Sequence, residues 1–392
     1  MASRFMRCVC TVGVVISLLF LLNILRSFTN TSKQRRTLGE KRESQGILYD
    51  GHQQASRPEF DPGDKVILYH SAPEFFRRYN GKNFFKSCQV KVSNCYFTTD
   101  NKHLGNSHAV IFRHYALPKD PPTRKVGQIW VFTSSEPPVR ETLAQPWKGT
   151  FNWTMSYRRH SDFYFGYGDV IPRRKSINRD YKKIFSEKEK DVAWIVSHCD
   201  TWSKREVYAN ELKKHINVDT YGGCGDKKCQ AVYKGFENDS CHDTIGRKYK
   251  FYLSFENSIC KDYTTEKFYF PFAFDKPIVS VARGAYNTKD SVPSEAFIDT
   301  SDFASPKDLA LHLKKIGGNE EEYIKLLKKK DKYESKTSPE TFEDAVCKMC
   351  AALHEERSAK IVDIPEVMFK NQCREPSDLN NSTARKDRGK KT

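Results

Sequence analysis

The richest concentration of chemically useful side chains is the run Phe255-Glu256-Asn257-Ser258-Ile259-Cys260-Lys261-Asp262-Tyr263-Thr264-Thr265-Glu266-Lys267. It joins an apolar stretch, Lys250 to Phe255, to a segment fit to open a helix. A loop of this kind turns backbone N–H groups toward a ligand, a setting suited to phosphate. Lys267 adds a point charge for a diphosphate, and Glu266 can accept hydrogen bonds from sugar hydroxyls. Each residue also has a plainer role: Thr264 or Thr265 as helix cap, Glu266 as dipole compensation, Lys267 as a solvated cation. A second concentration, Ser197 to Arg205, follows another apolar stretch. Its Arg205 guanidinium can clamp two phosphate oxygens at once, or simply sit on a helix surface. A metal-bridged diphosphate usually needs Asp-x-Asp, and no two aspartates have that spacing. The Gly-x-x-x-x-Gly-Lys-[Ser/Thr] loop and the Gly-x-Gly-x-x-Gly fingerprint are missing too. Cationic side chains are left to hold a diphosphate.

The elements that must position these residues follow an alternating plan. Val192 to Ser197, Val218 to Tyr221, Lys250 to Phe255 and Pro277 to Val281 read as buried strands. Ser203 to His215, Pro306 to Ile316 (capped by Ser305) and Glu320 to Lys330 read as helices. Strands alternating with helices predict a parallel sheet, whose ligands bind beyond the carboxyl ends of the strands. Earlier in the chain, Lys65 to Tyr69, Ala109 to Phe112 and Gln128 to Thr133 are further strand candidates. The expected α/β domains therefore span 64–190 and 191–350, with a polar tail over 351–392 that looks disordered beyond Arg374. The basic run Lys325 to Lys336 reads as a solvated helix face.

Compartment is read from the ends and the cysteines. Cys8 to Leu25 is eighteen residues without a charge, at the short end of what spans a bilayer. No small-x-small cleavage site follows, which favours an uncleaved anchor over a signal peptide. Residues 1–7 become a cytoplasmic tail and 26–63 a polar stem. Ten of the twelve cysteines follow the anchor, and Asn-x-Ser/Thr sequons start at Asn30, Asn152, Asn238, Asn380 and Asn381. Both suit an oxidising, glycosylating lumen. The net charge of +17 favours anionic partners, and a luminal chain makes nucleic acid an unlikely one.

Four collinear segments carry a resemblance over about residues 65–350. FYLSFENSICKDYTTEKFY resembles the signature of the α1,3/4-fucosyltransferases (glycosyltransferase family 10). FNWTMSYRRHSDFYFGYG (151–168), VAWIVSHCDTWSKR (192–205) and SEAFIDTSDFASPKDLALHL (294–313) resemble further segments of that family in the same order. The resemblance implies the GT-B architecture, two Rossmann-like domains facing a cleft. The first would bind a GlcNAc-bearing acceptor and the second GDP-fucose. It gives Arg205, Asn257, Tyr263, Glu266 and Lys267 the nucleotide and the fucose. Glu136, in Ser134-Ser135-Glu136-Pro137-Pro138, becomes the general base of an inverting α1,3 transfer. No cofactor is required, although Mn2+ or Mg2+ stimulation fits. A single-pass type II Golgi protein is implied, with a homodimer allowed. Asn152 lies inside a family segment expected to be buried, so glycosylation falls to Asn30, Asn238, Asn380 and Asn381. The sequence departs from the family at His160, His198 and Pro271, and Pro271 should kink or shorten its helix. Cys347-x-x-Cys350 lacks a second pair at zinc spacing. Disulfides from Cys347 and Cys350 to Cys88 and Cys95 are expected instead, connectivity being open, with Cys224–Cys229 as a further pair.

Overall fold

In a computed structural model, residues 60–90, 94–139, 142–228 and 240–379 are described. The apolar span 8–25, nearly all of the stem, Cys229 and the sequons Asn30, Asn238, Asn380 and Asn381 lie outside them. Among the described residues no helix is long and apolar enough to cross a membrane. Residues Pro58–Thr392 cluster as one unit.

Two parallel sheets organise that unit. The first contains β1 (Lys65–His70), β2 (Cys95–Thr98), β3 (Ala109–Arg113), β4 (Ile129–Ser134), β5 (Trp153–Ser156) and β6 (Phe163–Tyr164), in spatial order β2-β1-β3-β4-β5-β6. Its alternation explains its two covered faces. Ile67, Tyr69 and Ile111 face one core with Phe342, Val346 and Met349. Leu68, Val110, Phe112, Trp130 and Phe132 face the other with Trp147, Phe151, Ile364 and Met368.

The second sheet contains β8 (Lys190–Ile195), β9 (Val218–Tyr221), β10 (Tyr249–Phe255), β11 (Val279–Arg283) and β12 (Ile298–Asp299), ordered β12-β11-β10-β8-β9. The helices are α1 (Tyr181–Ser186), α2 (Arg205–Leu212), α3 (Ser240–Lys248), α4 (Glu266–Ala273), α5 (Pro306–Gly317), α6 (Glu320–Lys330) and α7 (Ser338–His354). α2, α5 and α6 cover one face of this sheet through Leu212, Leu309, Leu313 and Tyr323, packed on Trp194, Leu253 and Val281. Ile245 of α3 and Phe270 of α4 pack with Tyr252 on the other. An antiparallel pair, β7 (Gly168–Pro172) with β13 (Tyr333–Thr337), closes the set.

The chain's end departs from the expected tail. Position 351 falls inside α7, whose Phe342, Val346 and Met349 belong to the core of the first sheet. Disulfides Cys88–Cys347 and Cys95–Cys350 fix that helix to residues near β2. The chain stays packed beyond Arg374: Leu379 is buried and Asp378 pairs with Arg283 at 2.7 and 2.8 Å.

Cys224 pairs with Cys199, not with Cys229. The Gly222-Gly223 turn explains this. It folds the chain back over the end of β8, where Cys224 N–H donates to Val196 O at 3.1 Å and Gly223 N–H to Ser197 Oγ at 3.2 Å. Gly222 takes φ +90°, which other residues rarely adopt. The basic run is also not uniformly solvated. Lys330 is buried, and its ammonium donates to Lys276 O at 2.7 Å and Asp331 Oδ1 at 3.2 Å. Asn152 is buried, its amide donating to Ala359 O at 3.0 Å and accepting from Trp130 N–H at 3.0 Å.

Candidate active site

β10 is followed at once by a carboxylate that an apolar setting should not tolerate alone. Glu256 is 2% exposed. Its oxygens accept from Thr265 N–H at 2.7 Å and from Thr265 Oγ1 at 2.9 and 2.8 Å. Thr265 thus occupies the N-cap position of α4, but its hydroxyl serves Glu256 and does not cap. Gly284, at the end of β11, makes room: a Cβ there would meet Glu256 Cγ at 2.4 Å.

Lys267 lies in the first turn of α4. Its Nζ donates to Glu266 Oε1 at 2.7 Å and Thr265 Oγ1 at 3.0 Å, and stands 3.7 Å from Glu256 Oε2. Burial opposes its charge, yet Glu256 and Glu266 outweigh that and hold its pKa above the usual lysine value. Burial also pushes the Glu256 carboxyl up, against the pull of Lys267. Pro271 removes the N–H that would bond to Lys267 O four residues earlier. Ser254 Oγ donates to that carbonyl at 3.1 Å in its place. α4 therefore starts in register and ends early, at Ala273.

The remaining site residues gather round this turn. Arg205 is 3% exposed, and its terminal nitrogens donate to Phe255 O at 2.8 Å and His198 O at 3.0 Å. It is therefore held as a fixed cation, not as the free two-pronged clamp read from sequence. Its charge bears on Lys267 and on Glu256. Among the described residues, Arg205 Nε and Asn257 Oδ1 are buried with no hydrogen-bond partner. Such capacity is costly unless a ligand or water meets it. Tyr263 is buried against Tyr157, with ring centroids 5.3 Å apart, and near Tyr167 at 6.5 Å.

Glu136 follows β4 of the first sheet and is exposed. Its charge, with those of Glu256 and Glu266, bears on the phenols of both Tyr167 and Tyr263, whose pKa values burial also raises. Tyr167 Oη donates to Ser135 O at 2.9 Å, beside Glu136. So the structure brings the loop after β4 up to the opening of α4.

What sequence reading missed is the clamp that holds the loop after β5 to the loop before α4. Asp262, at φ +60°, accepts from Arg158 Nε at 3.0 Å and from Asn287 Nδ2 at 2.8 Å. Burial works against the Asp262 carboxylate, but these bonds hold its pKa below the usual range. Arg158 also donates to Gln372 Oε1. The disulfide Cys260–Cys373 ties the same loop to the C-terminal segment. The sequence signal was the Ser156-Tyr157-Arg158 run, read as resemblance with no partner assigned. Among the described residues Cys95, Cys350 and His354 cluster, but the two cysteine sulfurs are joined to each other in one disulfide.

The second sheet thus presents a strand-to-helix turn carrying a partnered lysine, and the Glu136 loop of the first sheet lies beside it. The chain belongs to glycosyltransferase family 10, the fucosyltransferases. The family's sequence description "Fucosyltransferase, N-terminal" matches residues 62–168, and "Glycosyltransferase family 10 (fucosyltransferase) C-term" matches 185–367. The 4-galactosyl-N-acetylglucosaminide 3-alpha-L-fucosyltransferase FUT5 of Hylobates lar is 33% identical over 274 residues, 68% of this chain and 70% of that one. The 4-galactosyl-N-acetylglucosaminide 3-alpha-L-fucosyltransferase 9 of Mus musculus is 32% identical over 292 residues, 73% and 78%. A crystal structure of an α1,3-fucosyltransferase with GDP-fucose has a TM-score of 0.46 at 13% identity, covering 71% of this chain and 84% of that one.

Proposed function

We propose that the protein transfers L-fucose from GDP-β-L-fucose to the 3-hydroxyl of an N-acetylglucosamine in a glycan, inverting the anomeric configuration. The observation that carries this reading is Lys267, held at the opening of α4 between Glu266 and Glu256, with the Glu136 loop drawn up to the same turn. A β-linked donor giving an α-linked product needs one displacement, hence one base and one stabilised leaving group. Glu136 removes the proton of the attacking hydroxyl. The ammonium of Lys267 and the first N–H groups of α4 receive the departing diphosphate charge. Arg205, pinned by two carbonyls, adds positive charge without moving. Glu266 orients the fucose, and the free Oδ1 of Asn257 accepts from a donor hydroxyl or amine. Tyr263 walls the site.

The galactosyl-N-acetylglucosaminide acceptors in the relatives' names, the sequons and the disulfides support a luminal enzyme of the Golgi membrane anchored by residues 8–25. None of these steps is routed through a metal, and stimulation by Mn2+ or Mg2+ is compatible with them. The test is a donor panel on the full chain with a GlcNAc-containing acceptor. Turnover of GDP-fucose with release of GDP, and an α-fucoside by NMR, is expected. Turnover of a UDP- or CMP-sugar with GDP-fucose inert would overturn the reading.

A further inference from the structure

Beside the turn just described lies a cavity of about 410 Å3 that none of the assigned residues lines. Its size falls within the roughly 300–1,000 Å3 common for small-molecule sites. Pro138 and Val139 of the loop after β4 form one wall. Trp202 and Ser258, from the loops after β8 and β10, form another, and the chain from Phe369 to Glu375 forms the third.

The third wall is built, not draped. Beyond the disulfide, Arg374 N–H donates to Ile259 O at 2.9 Å and Lys261 N–H to Gln372 O at 2.8 Å. Asp378 is gripped by Arg283, itself buried. This wall lies just beyond the matched family segment, which ends at residue 367.

We propose that this cavity binds the acceptor sugars that adjoin the residue receiving fucose, a proposal that rests on the transfer reading above. Position favours acceptor over donor. Val139 and Cys373 pack on Tyr157, Cys260 and Tyr263, so the cavity abuts the site from the Glu136 side. Among the described residues, Arg205, Glu266 and Lys267 do not line it. A ligand here would continue the acceptor away from Glu136, three residues before Val139.

Chemistry favours a sugar. A pyranose offers an apolar CH face and an edge of hydroxyls. The cavity offers the indole of Trp202, 41% exposed, and the ring of Phe369 for the face. Ser258 and Arg374 supply polar groups for the edge. Rigid aromatic platforms with a few placed polar groups are how such sites gain affinity at low entropic cost.

The test compares the full chain with Trp202→Ala and Phe369→Leu. Each is assayed with GDP-fucose on a simple GlcNAc glycoside and on an N-glycan oligosaccharide, alongside calorimetry with GDP. Wild type should favour the oligosaccharide in kcat/KM. Trp202→Ala should cut that preference about tenfold, the equivalent of about 1.4 kcal/mol, and Phe369→Leu should cut it less. The GDP Kd should stay within about twofold, since a tenfold change would need a contact worth about 1.4 kcal/mol. Unchanged preference in both folded variants overturns the proposal and leaves the transfer reading standing. A weakened GDP Kd with unchanged preference overturns it in favour of a nucleotide pocket. A wild-type chain inert toward GDP-fucose overturns both.

Discussion

Replacing Lys267 by alanine should weaken donor binding and transfer together. The site sets two cations, Arg205 and Lys267, among three carboxylates, Glu136, Glu256 and Glu266. Removing Lys267 leaves one cation against three. It also strips the 2.7 Å bond to Glu266 and the nearest countercharge of Glu256. Unit charges about 4 Å apart interact by about 4 kcal/mol at an effective dielectric near 20. The Lys267 side chain is 27% exposed, so screening lowers that figure, and the freed glutamates repel the diphosphate, which raises it. The net expectation is about 2–4 kcal/mol, or roughly 30- to 1,000-fold in GDP Kd and in kcat/KM for GDP-fucose. Part of the loss comes from Glu256, left buried with less compensation. The double variant Lys267→Ala/Glu256→Gln removes that charge and should recover some GDP affinity. Calorimetry with GDP and initial rates at low and high salt provide the readout, with a melting curve to confirm folding. A folded Lys267→Ala protein that binds GDP within about threefold of wild type would refute the reasoning, since such a loss is under 1 kcal/mol.

Three further outcomes follow from the packing. Gly284→Ala should displace Glu256, costing about 1–3 kcal/mol of stability and weakening GDP in the same calorimetric assay. Ser254→Ala should orphan Lys267 O and cost about 1–3 kcal/mol in denaturant melts; adding Pro271→Ala restores an N–H for that carbonyl and should recover part of the loss. Lys188 is buried, with its Nζ donating to Gly246 O at 2.6 Å and Pro277 O at 2.5 Å, and burial lowers its pKa to about 7. Because the unfolded chain binds that proton up to the ordinary lysine range, the group's contribution to stability rises with pH above about 7. Lys188→Met should therefore look most favourable, relative to wild type, below pH 7 and progressively worse as pH rises toward 10, read from melts at each pH. A pH-independent difference would contradict the assignment.

The sequence made the central strands legible where they are continuous apolar runs, while the short strands β2, β5, β6 and β12 went unread. Val192 to Ser197 and Lys250 to Phe255 differ from the observed β8 and β10 only at the ends. Ser305 capping α5 was equally plain, since its hydroxyl accepts from Asp308 N–H as the local pattern demands. Most of the failures share a cause: they depend on partners distant in sequence. Glu256 follows an apolar strand at once, which should have marked it as a buried carboxylate in need of donors. Arg158, Gln372 and Asp378 carry no local signal, for their partners lie about a hundred or more residues away. The low hydropathy of 351–379 hid that Cys373 and Leu379 anchor it. Lys330 looked solvated because a lysine run says nothing of which member turns inward.

The measurement closest to the centre of the account is turnover by Glu136→Gln beside its affinity for GDP. If this carboxylate takes the proton of the acceptor hydroxyl, kcat should fall by about 10²–10⁴, the usual contribution of a general base, while GDP binds as in wild type. A variant that keeps kcat within about threefold, and so supplies less than 1 kcal/mol of the barrier, would place the base elsewhere. The reading of the two facing loops as one active site would then fail.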